Sequence, residues 1–576
     1  MTKKQKLELT WIGKENRAKL EPRILLEDPD KSYHAKHRVS KKDIFDNRLI
    51  FGDNLLALKA LEQEFSGKVK CVYIDPPFNT QQAFEHYDDG LEHSIWLGLI
   101  RDRLEIIKRL MANDGTFFVH IDDNELGYLI VLLDEILGRS NRISIITFKQ
   151  GSATGHKSIN PGVVNTSNFL IIYAKNKSLW KPNRIFTARV ERDKRYGQFI
   201  SNYENPFPEW RFITLTQAFA ASLQLPERGL KKALGTEYEE KLSQFVADNA
   251  TCVVRLARPD YNAVSADARA MIDASRSKKN EVMLLTRENY SDMYFVGGER
   301  ILFYSDKLKL IDGQYVAGEP LTTIWDDVLS NNLHNEGGVE FPKGKKPEAL
   351  IKRCFDLTTF PNDLILDSFA GSGTTGAVAH KMGRRWIMVE LGDHCHTHII
   401  PRLKKVIDGE DEGGITKALN WKGGGGFRYY RLAPSLLEKD KWGNWVINTT
   451  YNAAMLAEAL CKLEGFTYAP SDSVYWQHGY STEEDFIYVT TANLNHEQLQ
   501  QLSDEVGENR SLLVLCTAFR AASDVYTNLT VKKIPKQVLT RCEWGHDDYS
   551  LRVENLTKAP IPRFQQLTLF PDEEDL

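Results

Sequence analysis

The sequence predicts an α/β protein: a doubly wound, largely parallel sheet split by a long insertion, with a smaller α/β unit behind it. Three observations carry that expectation. Short apolar runs alternate with segments of helical period from Arg48 to Gly138, the alternation resumes from Leu364 to Glu390, and the runs stop at glycine, aspartate or proline turns. Strand-turn-helix repeats impose crossover connections, and crossovers yield parallel strands covered on both faces. Ligands of such sheets collect at the carboxyl ends of the strands, so function concentrates just after each apolar run.

Residues 1–47 are polar, with Pro22 and Pro29 breaking any long pattern, and read as an N-terminal arm packed on something else. Arg48-Leu49-Ile50-Phe51 is a strand candidate that ends at Gly52-Asp53-Asn54, and Leu55, Leu56, Leu58 and Leu61 continue at helical spacing. Val69 to Ile74 is the next strand, halted at Asp75-Pro76-Pro77 because proline offers a ladder no N–H. A helix is expected from Ser94 to Leu110, a strand from Thr116 to Ile121, and a helix from Glu125 to Leu137 capped by Asp122-Asp123-Asn124. These make residues 48–150 the first half of a split domain. Alternation is lost over 151–340, which reads as an inserted domain, and returns in 341–429 with a strand at Leu364–Asp367, a glycine loop, a helix and a strand ending at Glu390. Beyond the run Gly423 to Gly426, residues 430–576 form a further unit with strands near Phe486–Val489 and Leu512–Leu515 and an acidic, disordered tail.

Composition narrows the function classes. At about 150 residues per domain, 576 residues make three or four units. Hydrophobic residues at 42% and charged residues at 26% are ordinary for a globular chain, and no apolar run nears the roughly 20 residues of a membrane span. The basic start, Met1 to Lys6, leads into mixed polar sequence instead of an apolar signal segment, which points to the cytoplasm. Seven cysteines without a CxxC pair form neither a disulfide framework nor a zinc module. A net charge of −4 does not advertise a polyanion partner, so any nucleic-acid contact falls to a local basic groove.

Two motifs carry chemistry. Phe369-Ala370-Gly371-Ser372-Gly373-Thr374-Thr375-Gly376 follows a strand and opens a helix, where glycines let the backbone turn tightly and approach a ligand. Glu390 ends the next strand, where an acid can bind ribose hydroxyls. The spacing is not GxGxxG and no Walker lysine follows, so dinucleotide and nucleoside-triphosphate readings both weaken. At another strand end, Asp75-Pro76-Pro77-Phe78 assembles an acceptor for a planar exocyclic amine, a carbonyl fixed by proline, and an aromatic face.

With Gly52-Asp53-Asn54-Leu55, Tyr73 to Thr80, Ser94-Ile95-Trp96-Leu97 and Asp367 to Thr375 around them, these strings resemble the S-adenosylmethionine-dependent DNA amino-methyltransferases of the (D/N/S)PP(Y/F/W) type. The catalytic string precedes the glycine loop, as in the permuted beta class, and the context is similar to the modification subunits of type III restriction-modification systems over most of residues 45–430. The resemblance implies a Rossmann-like methyltransferase sheet, circularly permuted, with S-adenosyl-L-methionine as cofactor and adenine N6 of double-stranded DNA, reached by base flipping, as target. It implies that Asp75 and the Pro76 carbonyl hold N6, that Pro77 completes the rigid string, and that Phe78 stacks on the flipped base. It further implies that Phe369, Ala370, Gly371, Ser372 and Gly373 enclose the methionine part of the cofactor after Asp367, that Glu390 takes the ribose, that Asp53 lies near the adenine, and that Lys346 lies near the cofactor carboxylate. Phe78 departs from the commoner tyrosine, keeping the stacking and losing a hydroxyl contact. Aspartate at position 75 favours adenine N6 over cytosine N4, where serine is usual. The insert matches the family's target-recognition domain, and a homodimer and a helicase-nuclease restriction subunit are the implied partners.

Other candidates have plainer readings. His394 and His398 form an i, i+4 pair, yet no glutamate follows His394 in a HExxH pattern and no further ligand is spaced for zinc, so no metal is expected. His120, Asp122 and Asp123 stand at a strand end, where the acids suit a helix cap. Between residues 149 and 279, Lys149, Lys157, Arg192, Lys194, Arg195, Arg255, Arg258, Arg276, Lys278 and Lys279 recur with Trp180, Tyr196, Trp210 and Tyr261, residue types that grip phosphates and stack on bases. Two alternatives stay open: methylation of cytosine N4 or of RNA, and a chain that chiefly serves recognition and assembly for a helicase-nuclease partner.

Overall fold

The computed structural model describes residues 8–550 apart from 12, 16, 80–92, 152–161, 190, 289, 312–313, 329–332, 334–335, 340, 342–343, 521–524, 535–541, 543 and 546. Lys157 and the acidic tail lie outside the described residues. The chain divides into two compact units, Arg184–Thr322 and the remainder.

The larger unit is built on an 11-stranded sheet. Its strands in chain order are β1 (Leu25–Glu27), β2 (Tyr33–His34), β3 (Asn47–Phe51), β4 (Val69–Ile74), β5 (Met111–Ile121), β6 (Arg142–Lys149), β7 (Ser167–Ala174), β8 (Ile324–Trp325), β9 (Leu364–Asp367), β10 (Arg385–Glu390) and β11 (Gly426–Leu432). Their spatial order is β1-β11-β3-β10-β9-β4-β5-β7-β6-β8, with β2 also on β11. The run from β11 to β5 is wholly parallel, and β7 turns antiparallel against both β5 and β6. This is the mixed, parallel-rich Rossmann-like sheet that the alternation predicts.

Helices α1 (Asn54–Phe65), α2 (His93–Leu110) and α3 (Asp123–Leu133) pack on one another, as do α4 (Glu348–Thr358), α5 (Thr374–Lys381) and α6 (Ile400–Asp408). The first set shares a core with one face of the sheet: Leu56, Leu58, Ile100, Leu104 and Leu129 meet Val72, Ile74, Leu366, Ile387 and Val389. The alternate side chains Cys71, Tyr73, Ile365 and Met388 are equally buried. Met388 lies against Gly376 of α5, where a Cβ would collide with it. Central strands enclosed on both faces read as unbroken apolar runs, which is why Val69–Ile74 shows no polar alternation.

The region from 151 onward, expected to be irregular, includes β7, a full member of the sheet whose residues Leu170 to Ala174 are buried. Downstream, Thr467–Tyr468, Gly479–Tyr480, Asp485–Val489, Ser511–Cys516 and Leu529–Lys533 form a 5-stranded sheet, flanked by helices Ala453–Glu464 and His496–Val506. The Arg184–Thr322 unit holds an antiparallel 6-stranded sheet, a 3-stranded sheet and helices that include Tyr238–Asp248 and Ala266–Ser277, with cores of its own. Among the described residues no helix is long and apolar enough to cross a membrane.

Buried charges lock α4, α5 and α6 together. Glu348 accepts from Arg402 at 2.8 Å and from Lys381 at 2.7 Å, and Lys381 also reaches Asp411 at 2.7 Å. Removing one partner of such a network strands its counter-charges in a dry interior. Lys381→Met is therefore expected to destabilise the protein by about 3–5 kcal/mol in urea unfolding, and a change below about 1 kcal/mol would show that the network holds little.

Candidate active site

Parallel pairing of β4 with β9 aligns Cys71 with Ile365 and Val72 with Leu366. Asp75 therefore leaves one strand beside the point where Asp367 and the glycine loop leave its neighbour. Together they line a cleft with Phe78, Lys346, Phe369 and Gly371 among its walls.

The Asp75 carboxylate has two unequal oxygens. Oδ2 lies 2.5 Å from the Lys346 ammonium, while Oδ1 is buried and has no hydrogen-bond partner. Burial pushes the carboxyl above its ordinary range, and Lys346 pulls against that rise. Lys346 also sits 5.1 Å from the Phe78 ring centroid, so this lysine stands over the Asp75 to Phe78 string. The string is braced from behind: Trp96 Nε1 donates to the Pro77 carbonyl at 2.9 Å. Asn79, held at φ 61°, donates to Glu125 at 2.6 Å, and His93 Nδ1 reaches the same buried oxygen at 2.6 Å.

In the glycine loop, Gly371 at φ 52° and Gly373 at φ 74° occupy the left-handed region, which a side chain would strain. Glu390 fixes the loop: Oε2 accepts the Gly371 N–H at 2.8 Å, and Oε1 accepts those of Leu391 and Gly392 at 2.9 and 3.0 Å. Arg402 reaches the same loop from below, donating to Thr374 Oγ1 at 2.7 Å and to the Ser372 carbonyl. Asp367 accepts the Phe369 N–H at 2.9 Å, and burial pushes its carboxyl up to about 7.

A second cleft opens on the far side of Phe369, lined by Asp53, Asn54, Ser368 and Glu390, with Ser550 at its edge. Asp53 caps α1, Oδ1 accepting the Leu55 and Leu56 N–H groups, while Oδ2 accepts the Tyr549 N–H at 2.9 Å. The buried Ser368 hydroxyl beside this cleft has no partner. Buried polar atoms without a partner thus belong to residues on either side of Phe369, Ser368 Oγ beside one cleft and Asp75 Oδ1 behind the wall of the other. That arrangement fits a nucleoside-bearing cofactor whose reactive end points at Asp75.

Every site residue expected from the sequence borders one of the two clefts except Gly373, which caps α5 directly beneath them. Sequence reasoning missed Phe341 and Tyr549, neither of which belongs to a spaced pattern, and gave no role to Asn54 and Ser368, which lie inside the quoted strings. Asp122 caps α3, accepting the Asn124 N–H at 3.1 Å. The histidines after Glu390 turn to different partners: His394 to Glu390 at 3.1 Å, His396 to the Tyr429 hydroxyl and His398 to Thr397. Among the described residues no cluster of metal-ligand type forms. Within the Arg184–Thr322 unit, Tyr196 and Trp210 are core residues, 2% and 8% exposed, so their rings are not free to stack on a base. Arg195, Arg258, Arg276 and Lys278 are paired with Asp193, Glu299, Asp273 and Glu281.

A family model described as DNA methylase matches residues 69–400, spanning both signature strings. The chain is 35% identical over 418 residues to the probable type III restriction-modification enzyme HindVI Mod subunit of Haemophilus influenzae, a match covering 68% of this chain and 54% of that protein. It is 26% identical over 531 residues to the type III restriction-modification enzyme EcoP15I Mod subunit of Escherichia coli, covering 78% and 74%. The type II methyltransferase M.EcaI of Enterobacter cloacae is 35% identical over 197 residues, covering 31% and 43%. The chain thus spans about half the length of the Haemophilus relative.

Asp367 offers a direct electrostatic test. Its ionised fraction grows as pH rises through about 7, and an ionised Asp367 attracts a cationic ligand more strongly. Calorimetric affinity for S-adenosylmethionine is expected to rise with pH across that window and to flatten in Asp367→Asn. Identical pH profiles for the two proteins would refute the assignment.

Proposed function

Since this chain belongs to the DNA methylase family, we propose that it transfers a methyl group from S-adenosylmethionine to adenine N6 in double-stranded DNA, as the modification subunit of a type III restriction-modification system. One observation carries the reading: a carboxylate with one buried oxygen that has no partner, Asp75, lines the same cleft as a glycine loop held by an acid at the end of the next strand.

The residues divide the work. S-adenosylmethionine supplies an electrophilic sulfonium methyl. Phe369 to Gly373 hold its methionine part against the loop, and the Ser368 side of Phe369 takes the nucleoside. The target base leaves the duplex stack to enter the cleft, with Phe78 offering a ring face in exchange for lost stacking. Asp75 Oδ1 and the Pro76 carbonyl accept the two amine hydrogens, which turns the nitrogen lone pair toward the methyl for in-line attack. The nitrogen gains a carbon bond as the sulfur–carbon bond breaks, and one N6 proton then departs. A carboxylate whose burial raises its proton affinity is a ready acceptor for that proton. Lys346 meanwhile keeps Oδ2 occupied, so a single oxygen faces the base.

The inserted unit would read the target sequence, and the downstream unit would engage a second copy or a helicase-nuclease subunit in the cytoplasm. Support for these roles comes from the place of each segment in the chain and from the type III relatives.

Labelled methyl transfer to duplex DNA, followed by nucleoside analysis, tests the proposal. Wild-type protein is expected to yield N6-methyladenine, and Asp75→Ala none, with cofactor binding retained. N4-methylcytosine would shift the target, and absence of transfer to any duplex by protein that binds cofactor would end the reading. Because the reaction needs ionised Asp75, the rate should fall on acidification at a pH above the ordinary carboxylate range.

A further inference from the structure

His120 is a buried titratable group beside Asp75 that the chemistry above leaves unused. It is the last residue but one of β5, the strand beside β4, which carries Asp75 at its end, and it is fully enclosed. Its Nε2 receives the side-chain amide of Asn168 on β7 at 3.1 Å. An amide N–H donates, so Nε2 is the accepting nitrogen and the ring proton resides on Nδ1. Nδ1 faces the catalytic string: it lies 3.4 Å from the Tyr73 hydroxyl and 3.7 Å from Asp75 Oδ1, the oxygen that lacks a partner. The ring also packs 5.3 Å from Phe78 and, edge-on, 4.8 Å from Phe148.

We propose that His120 is a positioning residue for methyl transfer, locked by Asn168 as its Nδ1–H tautomer so that it steers Asp75 Oδ1 and backs the Phe78 ring. This rests on the adenine-methylation reading given above and deepens it. A neutral ring whose Nδ1 lies 3.7 Å from the accepting oxygen, too far for a hydrogen bond but close enough for its N–H dipole to act, favours the ionised form of that oxygen without competing for the methyl. Burial drives the imidazole well below its ordinary range, with Lys346 adding to the effect, so the ring stays uncharged as this role requires. The groups that surround Asp75 are then Lys346 from the approach to α4, Tyr73 from β4, Asp367 from β9 and His120 from β5, and only the last two stand on strands flanking β4.

The test compares His120→Phe, which keeps the ring's bulk without its N–H, with His120→Asn, which restores a donor, and Asn168→Leu, which frees the tautomer. His120→Phe is expected to lower kcat by about 10-fold to 100-fold, with KM for S-adenosylmethionine nearly unchanged, and to move the acid limb of the kcat profile to higher pH. His120→Asn should recover part of the rate, and Asn168→Leu should shift the limb in the same direction as His120→Phe. Wild-type kcat and an unmoved acid limb in His120→Phe would overturn the proposal, as would a loss confined to KM for the cofactor. Asp75 ionisation can also be followed without turnover, by infrared difference against Asp75→Asn. If wild-type protein transfers no methyl, the adenine reading fails, while a displaced or unmoved Asp75 titration in His120→Phe still decides the role of His120.

Discussion

The parallel hydrogen bonds between β4 and β9 are the constraint on which the rest of this site depends. Those strands come from opposite sides of a long insertion, and nothing local to either one places them together. Their register sets the carboxyl ends level, so the acceptor of Asp75 and the loop after Asp367 share one cleft. A slip of one residue would turn Asp75 to the other face of the sheet. The apolar side chains on both faces resist such a slip, with Val72, Ile74 and Leu366 keyed to one helical layer and Cys71, Tyr73 and Ile365 buried on the opposite face.

Around that junction the protein gathers charge where water is scarce. Asp75, Asp367, Glu390, Lys346, Arg402 and Glu348 are all buried or nearly so, and each is tied to a named partner. The ties differ in kind. Glu390 spends both oxygens on backbone N–H groups and acts as a fixed strut of the glycine loop, whereas Asp75 keeps one oxygen unspent. The contrast separates a carboxylate that shapes the site from one that can meet a substrate.

Much of this was legible in the sequence, and the part that was not has physical reasons. Asp75-Pro76-Pro77-Phe78 and Phe369 to Gly373 announce themselves because proline and glycine restrict or free the backbone at fixed offsets, a local property. β7 hid inside a stretch that reads as irregular, since it belongs to no strand-turn-helix repeat and pairs with β5 and β6 from earlier sequence. Asn168 and Tyr549 joined the site only through tertiary contact. Tyr196 and Trp210 erred in the opposite direction: an aromatic among basic residues looks the same in sequence whether its ring fills a core or faces solvent.

The hydrogen bond from the Tyr549 backbone to Asp53 gives the architecture an unexpected seam. Residues near the end of the described chain close over an aspartate near its beginning, and Arg103 holds the Tyr549 carbonyl in place. β11 likewise threads between β1 and β3, so the central sheet borrows a strand from beyond the glycine run. A shortened protein cut near residue 430 would thus be no isolated core but a sheet missing an interior plank, with the cleft beside Asp53 missing part of its wall. Dissection of this molecule by truncation measures architecture and activity at once, and point substitutions are the cleaner scalpel.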